Sequence, residues 1–141
     1  MPTRKASAVW NGGLKGGNGS YKGESGIGGK YSFGSRFEEA GGSNPEELLA
    51  AAHAACYSMA LSGALEKNGT PPTRVESAAA CTVEKVGAGF TITRIVLTVD
   101  ATVPNVDDAT FQKIAAETKE GCPVSRALKG VEIQVQARLT G

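Results

Sequence analysis

No block of like charge stands out in this 141-residue chain, whose 15 basic and 14 acidic residues leave a formal net charge of +1. A basic stripe for nucleic acid or for an acidic membrane surface is missing, so neither partner is expected. The opening Met1-Pro2-Thr3-Arg4-Lys5 is basic, yet no apolar run of signal-peptide length precedes the Trp10-Asn11-Gly12-Gly13 turn. The expectation is a cytoplasmic protein without an export signal. Cysteine is scarce and odd in number, at positions 56, 81 and 122, and no CxxC or HxxxH pair occurs. That pattern speaks against a secreted disulfide framework and weakens a zinc site built from His53, Cys56 and Cys122, with or without Cys81. Reduced thiols are the default, and any disulfide would be transient. Repeats and linkers are also missing, and the length suits a single domain over 1–141.

Glycine is plentiful, and it punctuates the first third. Lys5 to Trp10 reads as a strand, the glycine-rich stretch from Asn11 to Gly19 as turns, and Tyr21 onward as a second strand. A third strand, Lys30 to Phe37, carries Tyr31, Phe33, Arg36 and Phe37 and completes an expected antiparallel meander. Ser43-Asn44-Pro45-Glu46-Glu47 marks a helix start: a capping side chain, proline in the first turn and two carboxylates at the positive end of the dipole. This helix is expected to run to Asn68-Gly69. From Leu48 to Leu61 it is apolar or small on every face, which requires protein all round it and hence a second subunit. A soluble core helix is favoured over a membrane span, since His53, Ser58 and Ser62 interrupt it and alanine inserts poorly into hydrocarbon.

Arg74 to Val86 and Phe90 to Val103 alternate as two strands around Gly87-Ala88-Gly89, with a bulge expected near Thr93-Arg94, where the apolar alternation slips. Asp107-Asp108 opens a second helix that ends at Glu120-Gly121, a short helix follows Cys122, and Val131 to Leu139 forms a last strand. Strands, helix, strands, helices, strand is an α+β order.

Among residues able to carry chemistry, Cys122 lies between Gly121 and Pro123 at a helix start, near Lys119 and Arg126. That setting lowers a thiol pKa, although a thiol can also sit at a cap without a role. Cys56 is set in mid-helix among alanines, where it is either a small buried apolar group or a nucleophile with His53, three residues earlier, as base. His53 is equally a core histidine bonded to backbone. Cys81 belongs to the apolar face of its strand. Composition alone gives Arg36 and Glu46 only ordinary roles.

Arg36-Phe37-Glu38, Gly42-Ser43-Asn44-Pro45-Glu46-Glu47-Leu48, Ala51-Ala52-His53-Ala54-Ala55-Cys56 and Gly121-Cys122-Pro123-Val124-Ser125 together closely resemble the osmotically inducible protein C family. The resemblance reaches back to Trp10 and takes in the hairpin at Gly87. The related organic-hydroperoxide-resistance proteins carry their active-site arginine in an N-terminal loop, which here holds Lys15 and no arginine. Arg36-Phe37-Glu38 therefore points to the osmotically inducible branch, where the arginine comes from the strand before the helix.

The resemblance implies an intertwined homodimer, with long central helices wrapped by antiparallel sheets. It implies a hydroperoxide reductase for oxidative and osmotic stress, acting on organic hydroperoxides and hydrogen peroxide. Cys56 matches the peroxidatic cysteine, Cys122 the resolving one, Arg36 the activating arginine and Glu46 its orienting carboxylate. The reductant is an external lipoyl-type dithiol or small thiol, with no bound metal or flavin. Local reasoning makes Cys122 the more activated thiol, whereas the resemblance gives first attack to Cys56. A redox sensor that stops at the disulfide is the competing class. A Cys56–His53 hydrolase is disfavoured, because a helix-interior thiol lacks an evident oxyanion hole.

Overall fold

The computed structural model describes residues 1–140 and divides the chain, expected as one domain, into two compact units, Met1–Leu48 and Leu49 onward. In the first unit, β1 (Ala6–Asn11), β2 (Asn18–Gly23) and β3 (Gly28–Tyr31) form the expected antiparallel meander in the order β1-β2-β3. Gly19 pairs with Trp10 on one side and Tyr31 on the other, and the two rings close over it with centroids 5.4 Å apart. A Cβ at Gly19 would lie 2.7 Å from both rings, so only glycine allows them to meet there.

The third strand is shorter than expected. It stops at Tyr31, and Phe33–Phe37 is a helix, α1, so Arg36 is helical rather than in a strand. The cause is local. Ser32 Oγ accepts from the Ser35 N–H at 3.0 Å, and Ser35 Oγ accepts from the Ser32 N–H at 2.7 Å, a reciprocal capping box that turns the chain out of the sheet.

The next helix, α2 (Pro45–Lys67), begins at the end of this unit and runs into the second. Asn44 is its cap, with Oδ1 accepting from the Glu47 N–H at 2.7 Å, and Gly69 follows its end at φ +83. By length and composition α2 could cross a membrane. It packs as a core helix instead: His53, Tyr57, Leu61 and Leu65, spaced four apart, are fully buried.

In the second unit β4 (Arg74–Val86) and β5 (Gly89–Thr102) form a long antiparallel hairpin. Thr82 pairs with Arg94 and Val83 with Ile92, so Thr93 is the extra residue of a bulge, where the slip in alternation places it. After it, Ile95, Leu97, Val99 and Ala101 all point inward and are fully buried. Tyr57, Leu61 and Leu65 of α2 meet Leu97, Val99 and Ala101 together with Phe111, Ile114 and Ala115 of α3 (Asp108–Gly121). The antiparallel expectation does not extend to β6 (Glu132–Leu139), which lies parallel to β5. α3 and α4 (Pro123–Ala127) carry the chain back between the two strands, and such a crossover sets them parallel. Cys81, assigned to the core, is half-buried on β4.

Candidate active site

Cys56 and Cys122, 66 positions apart, meet with their sulfur atoms 3.0 Å from each other, both as free thiols. The buried line of α2 turns Cys56, beside Tyr57, toward the core, where it remains half-buried. Cys122 is the joint between two helices. Its N–H closes α3 on Thr118 O at 2.9 Å, and its carbonyl opens α4 by accepting from Arg126 N at 3.0 Å. Its extended backbone and Pro123 in the first turn make the break. Cys122 is fully buried.

The two thiols are pushed in opposite directions. Burial raises Cys56, helped by the hydrogen bond with Cys122 and the charge Cys122 would carry, and only the Val124 backbone N–H opposes this. Burial raises Cys122 as well, but there it is outweighed by the hydrogen bond from Cys56, the Ser125 N–H and hydroxyl and the Val124 N–H, and the net direction is down. Within the second unit the favoured thiolate is therefore Cys122, as its place at a helix start predicts.

Arg36 and Glu46 form the other pair, inside the first unit. Arg36 Nε donates to Glu46 Oε1 at 2.9 Å and to Oε2 at 3.3 Å, and Nη2 lies 2.9 Å from Oε1. Two N–H groups along one edge of the guanidinium are thus held by one buried carboxylate. The guanidinium also stacks over Phe37, 4.9 Å from the ring centroid. Asn44 Nδ2 donates to Ser35 O at 2.9 Å and Ser35 Oγ to Ser43 O at 2.8 Å, which ties α1 to the start of α2 and sets the two partners in register.

His53 has a partner that the sequence did not suggest. Its Nε2 lies 2.6 Å from Ser125 Oγ, a buried side-chain hydroxyl rather than the backbone, while Nδ1 is buried without a hydrogen-bond partner among the described residues. Burial lowers the ring's pKa and keeps it neutral. Ser125 was legible only as part of a motif; its signal was its place three residues after Cys122, across the first turn of α4. Among the described residues no three of His, Cys, Asp and Glu are grouped to hold a metal ion, so the zinc set is not assembled.

The family pattern described as OsmC-like protein matches residues 38–136, a span that holds Glu46, His53, Cys56, Cys122 and Ser125. Peroxiredoxin OsmC of Escherichia coli (strain K12) is 47% identical over 128 residues, covering 89% of this chain and 90% of that protein. The chain belongs to the OsmC-like protein family. Organic hydroperoxide resistance protein OhrB of Bacillus subtilis (strain 168) is 29% identical over 99 residues, with 69% of this chain and 71% of that one covered. The crystal structure of OhrB superposes with a TM-score of 0.70 at 22% identity, over 95% of this chain and 98% of the other. An OsmC-like protein from Mycoplasma pneumoniae superposes at 0.76 and 15% identity, with 99% of both chains covered. These likenesses establish the OsmC-like fold, and Arg36, just ahead of residue 38, lies outside the span of the family pattern.

Proposed function

We propose that this OsmC-like protein is a thiol peroxidase that reduces organic hydroperoxides and hydrogen peroxide in defence against oxidative and osmotic stress. The single observation that carries the reading is the 3.0 Å approach of Cys56 and Cys122 sulfurs. A disulfide needs ~2.05 Å, so closure asks for about 1 Å of movement. Family membership supports it, since relatives bear the names peroxiredoxin and organic hydroperoxide resistance protein.

In the proposed cycle the Cys56 thiolate attacks the peroxide O–O bond and becomes a sulfenic acid, and the alkoxide leaves as alcohol after taking up the proton Cys56 gave up. The Cys122 thiolate then attacks the Cys56 sulfur. The S–S bond forms, the S–O bond breaks, and the departing hydroxide becomes water with the proton lost by Cys122. An external lipoyl-type dithiol or small thiol returns the disulfide to two thiols, and no bound cofactor enters. Cys56 takes the first step because it is half-buried whereas Cys122 is fully enclosed, so peroxide reaches Cys56 first.

Burial opposes the Cys56 thiolate, and Arg36, oriented by Glu46, is the group proposed to restore it. A homodimer is part of the reading: Ala51, Ala55, Met59 and Gly63, four apart on α2, are all exposed, Met59 at 81%. A second copy of the chain is proposed to cover this stripe. The protein is proposed to act in the cytoplasm.

Steady-state turnover with dihydrolipoamide, comparing cumene hydroperoxide with hydrogen peroxide, tests the assignment. Repeated turnover by wild type and none by Cys56→Ser is expected. A single stoichiometric oxidation in wild type would instead make the protein a sensor. Stoichiometric peroxide loss surviving in Cys56→Ser but not in Cys122→Ser would exchange the two roles.

A further inference from the structure

We propose that His53 and Ser125 are positioning residues for the resolving thiol: the His53 ring holds the Ser125 hydroxyl so that it donates to Cys122 Sγ when that sulfur is a thiolate. The inference rests on the peroxidase reading for its place in the cycle, but its geometry does not depend on it.

Three observations carry it. Ser125 is the third residue of α4, in the first turn that Cys122 caps, and its side chain is buried beside that turn. Its Oγ is 2.6 Å from His53 Nε2, and both residues are buried, at 5% and 0% exposure. His53 Nδ1, finally, is buried with no hydrogen-bond partner among the described residues. A neutral imidazole carries its one proton on a single nitrogen. An N–H sealed away unpaired costs more than a bare ring nitrogen left in the same place, so the proton belongs on Nε2. Nε2–H then donates to Ser125 Oγ, and the Ser125 O–H is left to point elsewhere. The sulfur to receive it is Cys122, whose thiolate the Ser125 hydroxyl and N–H both favour.

The chain of donors therefore runs from His53 through Ser125 to Cys122, and Cys122 faces Cys56 at 3.0 Å. His53 does not act as a base on Cys56 in this arrangement, and its depressed basicity suits it to remain a neutral donor. The role belongs to the second step. A ready thiolate at Cys122 shortens the life of the Cys56 sulfenic acid, which would otherwise meet more peroxide and over-oxidise. Lys119, Glu120 and Arg126 line a cavity with Ser125, and substitution at Ser125 or His53 leaves their charges in place.

The test has two readouts. The first, in Cys56→Ser protein, is the pH dependence of iodoacetamide alkylation at Cys122, followed on its own peptide by mass spectrometry. Ser125→Ala and His53→Leu are expected to move the profile to higher pH and to slow alkylation near neutrality roughly tenfold. Ser125→Thr keeps the hydroxyl and His53→Gln keeps an amide N–H at a similar reach, and both should retain the parental profile. The second readout, with Cys56 present and one equivalent of cumene hydroperoxide, is sulfenic acid lifetime. Ser125→Ala should prolong it roughly tenfold relative to Ser125→Thr. A parental alkylation profile in folded Ser125→Ala overturns the proposal, and that variant decides alone against Ser125→Thr should His53→Leu not fold. If wild type consumes no peroxide, the peroxidase reading falls, while the alkylation profiles still decide the roles of His53 and Ser125.

Discussion

A guanidinium held by one carboxylate has a defined direction as well as a charge, and the reactivity of Cys56 is proposed to depend on both. Arg36 meets Glu46 through Nε and Nη2, a fork that lysine cannot reproduce. Arg36→Lys is therefore expected to keep the charge and still slow peroxide reduction by roughly tenfold, and Arg36→Ala by more. Burial already raises the Cys56 thiol, so loss of the cation shifts ionisation further up. The rate of Arg36→Ala should recover as pH rises, and stopped-flow peroxide consumption across pH would read it. An unchanged pH profile would remove Arg36 from the activation step. Cys122 could be judged in part from its neighbours in the chain, because, after the hydrogen bond from Cys56, Ser125 and Val124 in the turn that follows it favour its thiolate. Cys56 could not, because Cys122 comes from a distant segment and the residues just before Cys56 are alanines.

Elements with strong local signals were legible. The start of α2 follows from Asn44-Pro45-Glu46-Glu47, and the bulge at Thr93 follows from the apolar alternation changing face. α1 was not, because five residues give no helical period and Tyr31, Phe33 and Phe37 share the aromatic character of a strand. What overrides that preference is the pair of serines, Ser32 and Ser35. The parallel placement of β6 was equally hidden, since pairing direction is decided by the crossover and not by the strand's own residues. Asn44 works at this scale: its oxygen caps α2 and its amide nitrogen holds the Ser35 carbonyl of α1. Asn44→Ala should cost about 1 kcal/mol in urea unfolding and also lower peroxidase activity. Asn44→Asp keeps the capping oxygen and loses the donor to Ser35, so stability should hold while activity falls. If both variants lost stability alone, the tie between α1 and α2 would have no part in setting Arg36.

For the whole molecule, the unresolved requirement is the exposed stripe on α2. An isolated chain gains nothing from four small or apolar side chains in water at Ala51, Ala55, Met59 and Gly63, and their small size suits the close approach of another helix. The opposite line of the same helix already packs on β5 and α3, and this stripe is the face on which the second copy is proposed to pack. Met59→Glu discriminates. On a free surface it would replace an 81% exposed side chain by a soluble one and change little. In a dimer it would bury a carboxylate, for which a cost of several kcal/mol is expected. Light scattering after size exclusion should therefore find wild type at twice the chain mass and Met59→Glu at the mass of one chain. Turnover should fall with the dimer if the partner completes the site around Cys56, and a monomeric variant with wild-type turnover would place the whole chemistry within a single chain.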